Sequence, residues 1–292
     1  MTQWFPASKR CATSFATAAL LAIGAWTPPV VAADPFRTEN VHDIGDRTEA
    51  AFLAMFEQGD YASARGLVEQ AIADEPNEPM AYAMKASLAY IDDPDSEEFS
   101  RYATLTREVA ERLSPDDPFR ASLYTAVGHF LEGAYILADE GEVRGTPKAL
   151  SKLRQVFEYL DAAENLKPND PELNLIKGYM DLMLAVNLPF SNPDRAISRL
   201  QDHAAPRFLA YRGLAVGYRD LERHEEAMRM VDRALELTPD NPELHYLKAQ
   251  IFVEQDREPE SLEWFEKALE HADRLPEELV EQIEREYEKA KD

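Results

Sequence analysis

The sequence predicts an all-α protein, a stack of about six helical hairpins closed by one charged helix. Three observations carry this. A Pro-x-x-Pro stretch occurs four times, as PNEP from Pro76, PDDP from Pro115, PNDP from Pro168 and PDNP from Pro239. Three copies continue alike, as PNEPMAYAMKASLAY, PNDPELNLIKGYMDL and PDNPELHYLKAQIFV, each with a lysine nine residues after its first proline (Lys85, Lys177, Lys248). Between copies, apolar residues recur three or four apart, the spacing of one helix face. With only 11 glycines in 292 residues, a turn-rich β protein is excluded.

Residues 1–33 read as a secretory leader. Lys9 and Arg10 precede a short apolar run from Cys11 to Trp26, and Val31, Ala32 and Ala33 form a small-residue cleavage site. The run is too short to span a bilayer comfortably, and Cys11 follows Ser8-Lys9-Arg10 rather than a lipidation box. Cleavage after Ala33 removes the only cysteine and two positive charges, taking the net charge from −24 to −26. The mature chain then has no disulfide and no thiol. Its acidity excludes duplex nucleic acid and anionic membrane as general partners. No other segment reaches spanning length, so no stable anchor is expected after cleavage.

An extended N-terminal segment is expected at 34–46, then hairpins at about 47–78, 79–117, 118–170, 171–205, 206–241 and 242–275. The fifth is the clearest. Tyr211, Leu214, Ala215 and Tyr218 line one helix, Glu222-Arg223-His224 break it, and Ala227, Val231 and Ala234 line the second before Pro239 stops it. Alanines let paired helices approach closely. The second hairpin gains about five residues in the acidic stretch Asp92–Glu98, and the third some 19 around Leu137–Lys148, read as a loop. The cap, 276–292, is dense in Glu and Lys and would shield the end of the stack.

Residues 208–241 fill nearly every slot of the tetratricopeptide repeat, which this pattern resembles; 45–78 fit its second half and 242–275 most of it. His245 and Lys248 depart, since the family usually has a large aromatic and a Leu there. The opening ADPFRTENVHDIGDRTEAAF and the runs ASLYTAVGHFLEGA and NLIKGYMDLMLAVNLPFSNP are similar to an exported tetratricopeptide family of cyanobacteria without an assigned activity. The resemblance implies a right-handed superhelical α-solenoid, and an address in the periplasm or, in a cyanobacterium, the thylakoid lumen. It also implies a concave groove, lined by the first helix of each hairpin, that binds extended peptides.

Catalytic patterns are thin, and no enzyme is expected. The six histidines make no metal-ligand pair or HExxH, His129 and Glu132 being the one three-residue pairing. There is no phosphate loop, dinucleotide fingerprint or nucleophile elbow, so no cofactor and no metal are expected. The acidic stretch lacks the glycine and spacing of a calcium loop and reads as a solvated helix start.

A local charge reversal stands out. Arg195, Arg199, Arg207, Arg212, Arg219 and Arg223 face only three acids across that stretch. Arg212 and Arg219, seven apart on one helix, are expected to face the groove and grip a partner's acidic group bidentately; the alternative is pairing with acids on neighbouring repeats. Tyr90, Tyr179 and Tyr246 either add aromatic contact surface there or pack between repeats. The middle hairpin's aromatics (Phe119, Tyr124, Phe130, Tyr135, Phe157, Tyr159) pack an enlarged core beneath the 139–146 loop or line a pocket. The leading expectation is an exported, non-catalytic scaffold binding a protein or peptide. The alternative is a binding component that hands a small organic ligand to a transport system, marked by a closed apolar pocket near the middle hairpin with one or two buried cations.

Overall fold

Each Pro-x-x-Pro stretch is a helix stop and a helix start compressed into four residues. The residue before the second proline caps the coming helix through its side chain. Glu78 accepts from the Met80 amide at 2.9 Å, Asp117 from Arg120 at 3.0 Å, Asp170 from Glu172 at 3.0 Å and Asn241 from Glu243 at 3.0 Å. The second proline then takes the first helical position, where its missing N–H costs nothing. The computed structural model describes residues 34–187 and 192–291, all in one compact unit, with twelve α-helices, of which those starting at Pro79, Pro118, Pro171 and Pro242 begin in this way. The leader expected at 1–33 lies outside the described residues.

The first hairpin is α1 (Asp46–Phe52), extended by a π-helical turn (Leu53–Glu57), and α2 (Tyr61–Asp74). Next come α3 (Pro79–Asp92) with α4 (Glu97–Arg112), the long α5 (Pro118–Leu166), α6 (Pro171–Asn187) with α7 (Asp194–Asp202), α8 (Arg207–Asp220) with α9 (His224–Leu237), and α10 (Pro242–Val253) with α11 (Glu258–Leu269). A 3₁₀ turn (Ala272–Arg274) leads into α12 (Glu277–Lys291). Successive first helices neighbour one another, α3 on α5, α5 on α6, α6 on α8 and α8 on α10. This is the expected all-α solenoid of hairpins. None of the described helices is long and apolar enough to cross a membrane.

Two further bonds repeat with the sequence and explain its odd positions. Six residues after the first proline, Tyr82, Asn174 and His245 each donate to that proline's carbonyl, at 3.1, 3.1 and 2.8 Å. His245 thus keeps the bond while departing from the usual aromatic. The repeated lysines reach back to acids sixteen residues earlier, on the preceding second helix: Lys85 to Glu69 (3.4 Å), Lys177 to Asp161 (2.7 Å) and Lys248 to Asp232 (2.6 Å). The Lys248 ammonium also lies 3.8 Å from the Trp264 ring centre.

The third hairpin corrects the sequence reading. Its extra residues are helix, not loop. α5 runs as two arms that reverse at Gly141, whose φ of 73° suits a residue without a Cβ. The arms are tied by Lys152–Glu132 and Lys148–Glu140, both at 2.5 Å. Their joined end is solvent-exposed, Val143 at the tip being 92% exposed. The aromatics sit lower: Phe119 and Tyr124 are buried, and Tyr135 meets Phe99 edge-on. The acidic stretch Asp92–Glu98 starts α4, Ser96 accepting from the Phe99 amide at 3.2 Å.

Three carboxylates bind these layers and set an acid limit. Burial alone would raise them, but the hydrogen bonds they accept prevail. His42 and the Arg120 amide hold Asp117 at about 2; His129, Lys152 and Arg107 hold Glu132 at about 2; Lys177 and Arg199 hold Glu164 at about 2. Each folded-state value lies below the ordinary 3.8 or 4.5, so the unfolded chain takes up protons first as pH falls. The stability they contribute is complete above those ordinary values and is lost on acidification towards 2. Thermal melts between neutral pH and pH ~2 should therefore fall steeply only below about pH 4.5.

Candidate functional site

The first helices leave a hollow between them. Phe52 of α1 and Phe56 of the π turn form one wall, with Met80, Ala83, Met84 and Ser87 of α3 beside them. α5 contributes Tyr124, Val127, Phe130 and Leu131; α6 contributes Leu175, Ile176, Tyr179, Met180 and Met183; α8 contributes Leu209 and Arg212. No second helix takes part in this lining. The volume is about 570 Å³, within the roughly 300–1,000 Å³ of small-molecule sites.

The N-terminal segment helps to build it. Phe36 enters the hollow and meets Phe52 edge-on, ring centres 5.1 Å apart. Arg37 fixes the segment by pairing with Asp34 (2.7 Å), Asp170 (2.9 Å) and Glu172 (3.2 Å). Glu172, fully buried, also accepts from the Tyr124 hydroxyl at 2.6 Å, and Arg120 grips the buried Glu78 through two bonds of 2.7 and 2.8 Å. This buried charge network stands behind one wall. Further along the segment, His42 pairs with Asp117 at 2.5 Å and stacks on Phe119.

A second cluster gathers around Arg212, itself part of the lining. Arg212 holds Glu243 bidentately at 2.7 and 2.8 Å, and the Tyr61 hydroxyl donates to the same carboxylate at 2.9 Å. Burial beside Glu243 pushes the Tyr61 hydroxyl well up. The Asn241 amide donates to the carbonyls of Phe56 (3.3 Å) and Glu57 (3.0 Å). These contacts join the first hairpin to α8 and α10, some 185 residues on, so the stack bends back upon its own start.

The sequence-singled residues separate accordingly. Arg212 and Tyr179 line the hollow; Arg219, Tyr246 and Tyr90 are not among its lining residues. Arg212 is committed to Glu243. Arg219 binds Asp220 (2.8 Å) and Gln250 (2.7 Å). Burial raises the Tyr179 hydroxyl to about 12; it donates to the Leu209 carbonyl at 2.6 Å. The Tyr246 oxygen accepts from Gln282 of α12 (2.8 Å), and Tyr90 is exposed against Phe99. The rest of the cationic patch is engaged too: Arg199 with Glu164 (2.7 Å), Arg223 with Glu226 (2.9 Å), Arg207 with the carbonyl of Gln201 (2.9 Å), while exposed Arg195 reaches Glu164 only at 3.8 Å. The +3 stretch is therefore matched by acids from elsewhere in the chain.

Sequence reasoning missed Glu172, Glu243 and the apolar wall. A signal existed. Both glutamates directly follow the second proline of a Pro-x-x-Pro stretch, and Arg212–Glu243 and Arg219–Gln250 share one separation of 31 residues. The His129–Glu132 pair is satisfied internally, Glu132 being shared by His129, Arg107 and Lys152. Among the described residues no three His, Cys, Asp or Glu side chains are grouped as metal ligands.

Residues 50–98 and 212–277 match the family model of the tetratricopeptide repeat. The chain carries tetratricopeptide repeats there. The matched spans contain the first, second, fifth and sixth hairpins in whole or in part, and so both sides of the closure at Asn241. The extended α5 falls between them. No curated protein matches the chain. Tetratricopeptide repeats present extended inner surfaces for binding and suggest a protein-interaction scaffold.

Proposed function

We propose that this chain is an exported, non-catalytic scaffold that engages a protein or peptide partner on the side formed by its first helices. The observation that supports this is the apolar surface left uncovered there by α3, α5, α6 and α8. Apolar anchors, not carboxylate grips, would carry the contact, because the arginines of the Arg195–Arg223 stretch already serve acids and carbonyls of the chain itself. A photo-crosslinking residue at Ser87, inside the hollow, tests this in the native compartment against the same residue at Val143, on the exposed tip of α5. A polypeptide adduct specific to Ser87 supports the scaffold; adducts that are equal at both positions count against it. N-terminal sequencing of the exported protein should begin at Asp34.

A second reading has its own support. A small apolar ligand, carried for a transport system, would sit in the same hollow. What favours it is the state of the wall: the four polar side chains there, Ser87, Tyr124, Tyr179 and Arg212, each already donate to a partner within the chain.

A further inference from the structure

We infer that the hollow takes a neutral hydrocarbon chain, alkyl or isoprenoid, held by apolar contact alone; this rests on the small-ligand reading above. Charge is the first argument. Arg212, the one charged side chain of the lining, is held in two bonds to Glu243, and its positive charge is spent there. A carboxylate guest would have to compete with Glu243 for a half-buried guanidinium already held by two bonds, whereas a neutral chain displaces nothing.

Backbone chemistry is the second. An extended peptide enclosed in the hollow would bring an N–H and a C=O with every residue, each needing a partner once out of water, so a polypeptide partner of this face reaches it only by single side chains. The wall is helical, so its backbone is spent, and Ser87, Tyr124 and Tyr179 donate inward, to the Ala83 carbonyl, to Glu172 and to the Leu209 carbonyl. A peptide helix satisfies itself but is roughly 10–12 Å across, so about 570 Å³ would hold little more than one turn. A hydrocarbon chain makes no hydrogen-bond demand. At about 30 Å³ for each methylene-sized group, taking water's share of liquid volume as the measure, the hollow holds on the order of 15–20 carbons. Methionines on α3 and α6 suit a flexible guest, since their unbranched thioethers re-pack around irregular shapes.

The test titrates the chain beginning at Asp34 with N-phenyl-1-naphthylamine, a neutral apolar fluorophore. Bound probe is then displaced with the straight alkanols from octanol to hexadecanol and with the fatty acids of equal length. The expected result is one probe per chain. Displacement should tighten about four-fold per added methylene until the hollow is full. Each alkanol should compete at least as well as its acid at neutral pH. Ser87→Phe, which sets a ring inside the hollow and narrows it, should weaken probe binding at least ten-fold with an unchanged thermal melt; Ala83→Leu serves if the first variant does not fold. Probe binding that survives both substitutions would overturn the assignment. A ten-fold preference for the acids would overturn the neutral chain while leaving a small-ligand site intact. Failure of every apolar compound to bind would remove both.

Discussion

Replacing Arg120 by alanine should unfold the protein near physiological temperature or bring it close to doing so. Arg120 is 3% exposed, Glu78 5% and Glu172 fully buried. The guanidinium holds Glu78 by two bonds, and its Nε lies 4.0 Å from Glu172. Removing it leaves the buried Glu78 without a cation and Glu172 with Arg37 alone (3.2 Å), and breaking such a buried pair typically costs about 3–5 kcal/mol. Arg37 would remain near Glu172 but has its own partners in Asp34 and Asp170. Substituting Glu78→Gln in the Arg120→Ala background should recover part of the loss by removing one charge. Denaturant melts of the two variants measure this. Equal stability of Arg120→Ala and the parent would show that the network is not what ties α3, α5 and α6 together.

The second large effect lies at Gly128, on the face of α5 that meets α4. A Cβ built there would sit 2.7 Å from the Arg107 amide nitrogen and 2.8 Å from its Cα, so backbone and not a pliable side chain blocks it. Gly128→Ala should cost about 1–3 kcal/mol through overpacking, against the roughly 1 kcal/mol that alanine gains over glycine inside a helix. Gly128→Val should cost more. Gly66, inside α2, has open space around the same position, so Gly66→Ala should stabilise by about 0.5–1 kcal/mol. Thermal melts of the three variants, with opposite signs expected at the two sites, check that helix contact and not glycine content governs stability.

Much of this architecture could be read from residues in order, because the information is local. Pro-x-x-Pro marks a helix end, a cap and a helix start within four residues, and spacing of three or four assigns the buried face. The repeated lysines marked a genuine equivalence between hairpins, which the structure explains as bonds to acids sixteen residues back. The 139–146 stretch misled because length in excess of a repeat does not say whether it is loop or helix; only the exposed, mutually paired arms of α5 show the latter. Arg212 was legible as a groove residue, and pairing with an acid of a neighbouring repeat as one of its two readings, but the partner itself was not. Its partner Glu243 belongs to the next hairpin, and Tyr61 reaches the same carboxylate from 182 residues away. Closure of this kind depends on small rotations summed over every hairpin, which no local periodicity encodes. For the same reason the hollow, made of the N-terminal segment and six helical elements spread from Phe36 to Arg212, had no local signature.

The account turns on what occupies that hollow. Native mass spectrometry of the protein isolated gently from its own compartment addresses it directly, with Ser87→Phe run in parallel. The account predicts a parent chain beginning at Asp34 that carries one neutral apolar molecule, stripped by organic solvent and absent from the variant. A parent chain carrying the same additional mass as a folded Ser87→Phe variant would contradict it.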